Sequence, residues 1–164
     1  FFGDNDFLNL IMKLLVIGGG GLTMQKSRYK KPEQWSENPE VAPEKKMFRT
    51  PDIYGYFTMQ YTPDKKFTAS LTGTYSGKML VQHMESSGTE TDIAVTTPSF
   101  FDMNLKLAKD FSLFQGVTLQ ANCGIMNIFN SFQDDFDKGI DRDSGYMYGP
   151  MMPRSGYIGI KLSW

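Results

Sequence analysis

The sequence has few of the residue types that build catalytic or metal centres. It contains a single cysteine, Cys123, and a single histidine, His83, among 164 residues. One cysteine cannot form a disulfide within the chain, and neither residue has a Cys or His neighbour at metal-site spacing. No nucleophile stands beside a base. We therefore predict no catalytic site, no cofactor and no bound metal. Cys123 is expected to be a small apolar side chain, buried or facing lipid, and His83 is expected to be isolated.

The charge is nearly balanced, which argues against a nucleic-acid partner. Lys and Arg together number 17 and Asp and Glu 18, giving a formal net charge of -1. The two signs are mixed along the chain, without a basic stripe or an acidic tail. The sequence therefore predicts no nucleic-acid partner.

A long apolar run is also missing. Residues 7–17 (FLNLIMKLLVI) are apolar, but Lys13 interrupts them and glycines follow, whereas a membrane-spanning helix needs about 20 apolar residues. The segment is not typical of a signal peptide either, because Asp4 and Asp6 stand where basic residues would be. Since the chain begins with Phe1 rather than Met, we expect residue 1 to lie inside a longer gene product. The run VIGGGGLTM matches neither a dinucleotide fingerprint nor a P-loop, and we interpret it as a strand interior.

Aromatic residues, glycines and alternating patterns are abundant instead. The chain has 13 Phe, 8 Tyr, 2 Trp and 16 Gly, a composition that favours strands and turns. In the final SGYIGIKLSW, apolar Ile158, Ile160 and Leu162 alternate with other residues up to Trp164, as in a strand with one apolar and one polar face. The same pattern predicts six strands, at residues 16–27, 53–61, 67–76, 101–108, 117–125 and 156–164.

The connections between these strands alternate long, short, long, short, long. Residues 29–49, 83–98 and 130–154 form the long ones, while TPDKK and FSLFQG form the short ones. Outer-membrane barrels sort their loops in this way, with long loops outside and tight turns in the periplasm, and their closed sheets satisfy backbone groups that lipid cannot. We predict that the polar face, with Asn104, Gln120 and Asn122, lines a lumen. The predicted lipid-facing residues are Phe101, Leu105, Leu107, Leu119, Ile158, Ile160 and Leu162.

These strands resemble a known family. The stretch from PDIYGYFTMQYTP to the end, above all NIFN and YGPMMPR before the last strand, resembles the C-terminal end of TonB-dependent outer-membrane receptors of the type common in Bacteroides-like bacteria (Bacteroidetes). The resemblance covers residues 18–164, whereas residues 1–17 fit it poorly. It implies an all-β fold in which an antiparallel meander of about six strands forms the C-terminal part of a transmembrane β-barrel of about 22 strands. About six strands cannot close, since the smallest single-chain bacterial barrels have about eight.

The resemblance implies a transport function rather than an enzyme. Such receptors sit in the bacterial outer membrane and take up a large, scarce nutrient, for which a ferric siderophore or cobalamin is expected here ahead of a glycan. The implied partners are outer-membrane lipid, the rest of the barrel and its plug, the TonB complex reached through that plug, and the barrel-assembly machinery, which would recognise Trp164. Two alternatives belong to other classes. One is a soluble β-sandwich whose long loops bind a ligand, and the other is an outer-membrane enzyme, which the missing acid/base pair disfavours.

The last long loop, residues 130–154, contains the candidate ligand site. We predict that it helps form an outer vestibule in which aromatic side chains pack on a bulky ligand. A solvated acidic loop, pinned by its aromatics and by Arg142 and Arg154, is the alternative. A calcium site is disfavoured because the aspartates lack the EF-hand order. The candidate residues are Phe132, Asp135, Phe136, Asp137, Asp141, Arg142, Tyr146 and Tyr148.

Overall fold

The computed structural model describes residues 16–114 and 116–164, and within these ranges the secondary structure is all β. The described residues include no helix that is long and apolar enough to cross a membrane. The strands are β1 (Val16–Met24), β2 (Arg28–Glu33), β3 (Glu44–Lys46), β4 (Ile53–Asp64), β5 (Phe67–Ser76), β6 (Leu80–His83), β7 (Ile93–Thr96), β8 (Phe100–Phe114), β9 (Val117–Met126) and β10 (Ser155–Ser163).

Six of these strands form one antiparallel sheet in the order β1-β4-β5-β8-β9-β10. Successive strands of this order pair directly with one another, so the chain runs up and down as a meander. The long connections β1–β4, β5–β8 and β9–β10 all lie at one end of the sheet, and the tight turns β4–β5 and β8–β9 lie at the other. The predicted antiparallel meander of six strands is confirmed.

The register places apolar side chains of neighbouring strands on one common face. Leu71 pairs with Leu105, and Cys123 pairs with both Leu107 and Ile158. Because side chains alternate along a strand, this register puts all the predicted lipid-facing residues on the same side of the sheet. On β10 this face is open, with Ile158 89% and Ile160 77% exposed. Within the described ranges no second sheet covers it, so these residues do not form a β-sandwich.

The strand limits and the loops differ from the prediction in several places. Strand β1 ends at Met24 rather than at residue 27, and β8 continues to Phe114, through most of the segment predicted as a turn. The first predicted loop contains nearly all of the hairpin β2–β3, and the second contains β7, whose partner β6 lies mostly between that loop and the preceding predicted strand. These hairpins are short and lack a sustained alternation, so no pattern indicated them. Of residues 1–17, only Val16 and Ile17 lie inside the described ranges, where they begin β1.

The packed core lies among the long loops and not within the sheet. Val81 is completely buried, and it packs with Met79 and Tyr146 in a cluster that Val95 and Tyr148 also contact. A single sheet cannot bury either of its faces alone, whereas loops that cross over one another can. The long-loop end of the molecule is therefore a compact cap on the sheet.

Candidate functional site

The three long loops are hydrogen-bonded to one another at the end of the sheet, and we refer to residues 25–52, 77–99 and 127–154 together as the loop cluster. The Arg49 amide in the first loop donates to the Leu80 carbonyl of the second at 2.8 Å. The Ser87 amide in the second loop donates to the Asp141 carbonyl of the third at 2.8 Å. Hydrogen bonds between neighbouring loops, and not only those within each loop, therefore fix the loop conformations.

His83 lies where the second and third loops meet. Its ring stacks on Tyr146 with centroids 3.7 Å apart and planes 9° apart, and its Nε2 lies 3.0 Å from Asp137 Oδ2. Asp137 also accepts hydrogen bonds from Ser86 Oγ at 2.6 Å and from the Asp143 amide at 3.0 Å. Hydrogen bonds from Ser86, then His83, then Asp143 lower the pKa of Asp137 to about 2. The prediction that His83 is isolated was wrong, because its partners are distant in sequence.

Ser86, His83 and Asp137 are the residue types of a nucleophilic relay, but they lack its geometry. In such a relay the imidazole uses one nitrogen for the serine and the other for the carboxylate. Here Ser86 Oγ donates directly to Asp137 Oδ2, and it lies 3.5 Å from the same His83 Nε2 that faces the carboxylate. The arrangement joins two loops and does not activate the hydroxyl.

Two tyrosines of the third loop share one carboxylate oxygen. Tyr146 and Tyr148 donate to Asp135 Oδ2 at 3.1 and 2.7 Å. Burial, followed by the hydrogen bond to Asp135, raises the pKa of both phenols, so they remain neutral donors. Among the described residues, no group of three or more His, Cys, Asp or Glu is placed to hold a metal ion.

A buried glutamine sets the shape of the third loop. The Gln133 side chain is only 1% exposed. Its Oε1 accepts hydrogen bonds from the Tyr148 and Gly149 amides at 2.8 and 3.2 Å, and its Nε2 donates to the Tyr146 carbonyl at 3.0 Å. Sequence reasoning missed this residue, since glutamine in a polar loop is normally exposed.

The predicted site residues divide into two groups. Asp135, Asp137, Tyr146 and Tyr148 are all hydrogen-bonded within the loop cluster. The Asp137 side chain is buried where the loops meet. Asp135 stays exposed while it accepts from the two tyrosines, which agrees with the alternative interpretation of an acidic loop pinned by its aromatics. The remaining four, which are half-buried or exposed, are Phe132, Phe136, Asp141 and Arg142.

The exposed part of the third loop surrounds a small cavity. Phe136, Arg142 and Met147 line it together with Asp137 and Tyr146, and its volume is about 190 Å³. The Arg142 guanidinium donates to the Gly139 carbonyl at 3.0 Å, within its own loop. The arrangement leaves an aromatic ring and a cation at the outer surface of the loop.

A larger cavity that the sequence did not indicate lies between the first loop and strands β4 and β5. Its volume is about 500 Å³. Tyr54 and Tyr56 line it and are 41% and 63% exposed, and Arg49 reaches it from the loop. The Arg49 guanidinium donates to the Gly145 and Met147 carbonyls, which joins the first loop to the third. Other lining residues are Gln25, Thr50, Pro51, Thr74 and Ser76.

Trp164 lies at the opposite, tight-turn end of the molecule. It follows β10 in phase with Ile160 and Leu162 and is 93% exposed. An aromatic side chain at this position continues the apolar face of the sheet.

Fold and loop placement together define an all-β antiparallel meander with its long loops at one end of the sheet. The chain is similar to a solved structure of the ferric-catecholate import receptor Fiu from Escherichia coli K12 in its closed form, with a TM-score of 0.57 and 20% sequence identity. The match covers 90% of this chain and 18% of that receptor chain, so the sequence spans only a small part of its structural neighbour. No family model and no curated protein matches the sequence.

Proposed function

We propose that this chain is the C-terminal part of the barrel of an outer-membrane, TonB-dependent receptor that takes up a large, scarce nutrient. The observation that carries the proposal is the six-stranded meander with one broad apolar face and with its long loops and tight turns at opposite ends. Likeness to part of the Fiu chain supports it. The proposed barrel segment is residues 18–164 together with Val16 and Ile17, which begin β1 and pair with β4.

The apolar face suits lipid because it is broad and open. Side chains such as Leu107, Ile158 and Ile160 lie on it, whereas Asn104 and Gln120 lie on the other face, which would line a polar lumen. The location is then the bacterial outer membrane, and the partners are its lipid, the remaining strands, the plug and, through the plug, the TonB complex. The barrel-assembly machinery would recognise Trp164.

The proposed substrate is a ferric siderophore, with cobalamin as the second choice. The neighbouring structure is a ferric-catecholate import receptor, and guanidinium and phenol groups such as those of Arg49, Tyr54 and Tyr56 suit an anionic aromatic iron chelate. The motifs NIFN and YGPMMPR favour the Bacteroides-like type of receptor.

The exposed part of the third loop is proposed as one wall of the outer vestibule. Deleting residues 134–145 from the full-length receptor should weaken ligand binding to whole cells, but it also removes Asp137, which joins the loops. A sharper test replaces only Phe136 and Arg142 by alanine, since both side chains line the outer cavity and the Arg142 guanidinium is hydrogen-bonded within its own loop. We expect binding of a ferric catecholate to weaken about tenfold, equivalent to about 1.4 kcal/mol.

The matched control is Lys138→Ala, an exposed cation in the same loop whose side chain does not line the cavity. Surface display is measured with an antibody in every strain. Unchanged affinity of the double variant at normal display would show that the third loop is not a vestibule wall. A similar loss of affinity in Lys138→Ala would show that binding depends on the net charge of the loop rather than on this cavity.

A further inference from the structure

A groove runs along β9 on the apolar face, close to the tight-turn end of the sheet. Its floor consists of the small side chains of Ala121 and Cys123, which separate the larger side chains of the two adjacent strands. The volume is about 690 Å³ and the lining is almost wholly apolar. Strands lie about 4.8 Å apart, so a row of small residues between two bulky rows leaves a channel as wide as a hydrocarbon chain. The walls are Leu107 and Phe111 on β8 and Ile158 and Ile160 on β10.

Lys109 interrupts the apolar pattern at this groove. It pairs with Phe67 on one side and Ala121 on the other, which places it on the same face as Leu107. Lys109 is exposed and lines the groove, and it has no ion-pair partner in the part of the chain that the structure describes. An ammonium group facing lipid is unfavourable unless its flexible stem carries it to water or to an anion.

The position of Lys109 indicates in which leaflet of the membrane the groove lies. The Asp110 amide donates to the Lys66 carbonyl in the β4–β5 turn at 2.6 Å, so Lys109 lies beside the tight turns. Tight turns of outer-membrane barrels face the periplasm, where the leaflet consists of phospholipids whose phosphates lie at the depth that a lysine side chain reaches. The groove then lies along the acyl chains directly beneath those phosphates.

We propose that this groove seats one acyl chain of an anionic phospholipid whose phosphate pairs with the Lys109 ammonium. The proposal rests on the proposed function, because it requires the apolar face to meet lipid. The headgroup of an anionic phospholipid has no cation of its own, so its phosphate pairs with Lys109. In a zwitterionic lipid the cation of the headgroup competes with Lys109 for the phosphate. The site therefore prefers phosphatidylglycerol to phosphatidylcholine.

The test is native mass spectrometry of the full-length receptor in detergent micelles with equal concentrations of phosphatidylglycerol and phosphatidylcholine. We expect one retained phosphatidylglycerol on the unaltered receptor and about tenfold weaker retention in Lys109→Ala. Ala121→Leu fills the floor of the groove and should reduce retention of both lipids. Lys106→Ala is the matched control, because Lys106 is on the same strand but on the polar face, and it should retain phosphatidylglycerol normally.

Folding of each variant is checked by heat-dependent migration of the barrel in gels, so that a loss of lipid is not a loss of structure. Equal retention in Lys109→Ala and the unaltered receptor, or an equal loss in Lys106→Ala, would overturn the proposal. A receptor that stays in the membrane fraction but shows no preference for phosphatidylglycerol would refute the lipid site alone. A chain released into the aqueous fraction without detergent would refute the membrane assignment itself.

Discussion

Asp137 joins the second and third long loops through donors from both. Ser86 and His83 belong to the second loop and the Asp143 amide to the third. Hydrogen bonds of this kind favour the charged carboxylate, which is why its pKa falls to about 2 from an ordinary value of 3.8. A depressed pKa means that the folded loops bind fewer protons than the unfolded chain, so Asp137 stabilises them only where it is ionised.

This linkage predicts an acid transition confined to the loop cluster. The stabilisation is complete above pH 3.8 and is lost as the pH falls from there through about 2. Asp92 acts in the same direction, because hydrogen bonds from Ser36 and then from the Glu85 amide lower its pKa. Protease nicking of the loops in the full-length receptor, measured with an acid-active protease, should rise in this window.

Asp137→Asn should give fast nicking already at neutral pH, while Asp141→Asn, which changes an exposed carboxylate in the same loop, should behave like the unaltered protein. Nicking that is independent of pH from 5 to 2, or equal in the two variants, would contradict this role of Asp137.

The residues that organise the loop cluster could not be predicted individually. The sequence singled out Asp135, Asp137, Tyr146 and Tyr148 as a group, because acidic and aromatic residues are dense there. It could not indicate that His83 or Gln133 would be buried against them, since both depend on contacts between loops that are remote in sequence. Loop burial is decided by the tertiary arrangement and leaves no periodic signal.

The strands, in contrast, were largely predictable, because alternating apolar and polar residues indicate both a strand and the face on which each side chain lies. One contact between strands shows how closely that register is fixed. The ring of Phe57 on β4 lies over its partner Gly73 on β5 and extends toward Phe101, 6.4 Å away between centroids. A Cβ at Gly73 would overlap the Phe57 ring. Glycine covered by a cross-strand aromatic ring is a known device for fixing register.

Gly73→Val should therefore destabilise the sheet, by about 1 to 3 kcal/mol, because the Phe57 ring must move off its partner. Urea unfolding of the full-length receptor in detergent measures the change. Gly19→Ala is the control, since nothing lies within 4 Å of a Cβ at Gly19 in β1. Equal midpoints for the two variants would show that the Phe57–Gly73 contact does not fix the register.

Sequence patterns did not predict the hairpins β2–β3 and β6–β7 or the full length of β8, and the physical reason differs between the hairpins and β8. A four-residue ladder such as Leu80–His83 with Ile93–Thr96 is too short to show a period. The extension of β8 to Phe114 continues the pairing with β9 through a segment that looked like a turn. Pairing with a neighbour, rather than local propensity, formed both features.

The sheet as a whole is open in the part of the chain that the structure describes, because β1 and β10 each pair on one side only. Unpaired edges and an uncovered apolar face both favour association in water. Residues 1–164 expressed alone should therefore aggregate without detergent, as measured by sedimentation velocity. A soluble monomer that unfolds cooperatively in urea would contradict the barrel assignment.

The membrane assignment requires that the apolar face meets lipid while the opposite face meets water. Spin labels placed singly on the full-length receptor in lipid vesicles distinguish the two faces. We expect labels at Leu107, Ile158 and Ile160 to collide mainly with oxygen dissolved in the bilayer, and labels at Asn104 and Gln120 mainly with a water-soluble nickel chelate. The reverse pattern, with the first set open to the chelate and the second shielded from it, would contradict this orientation of the sheet in the membrane.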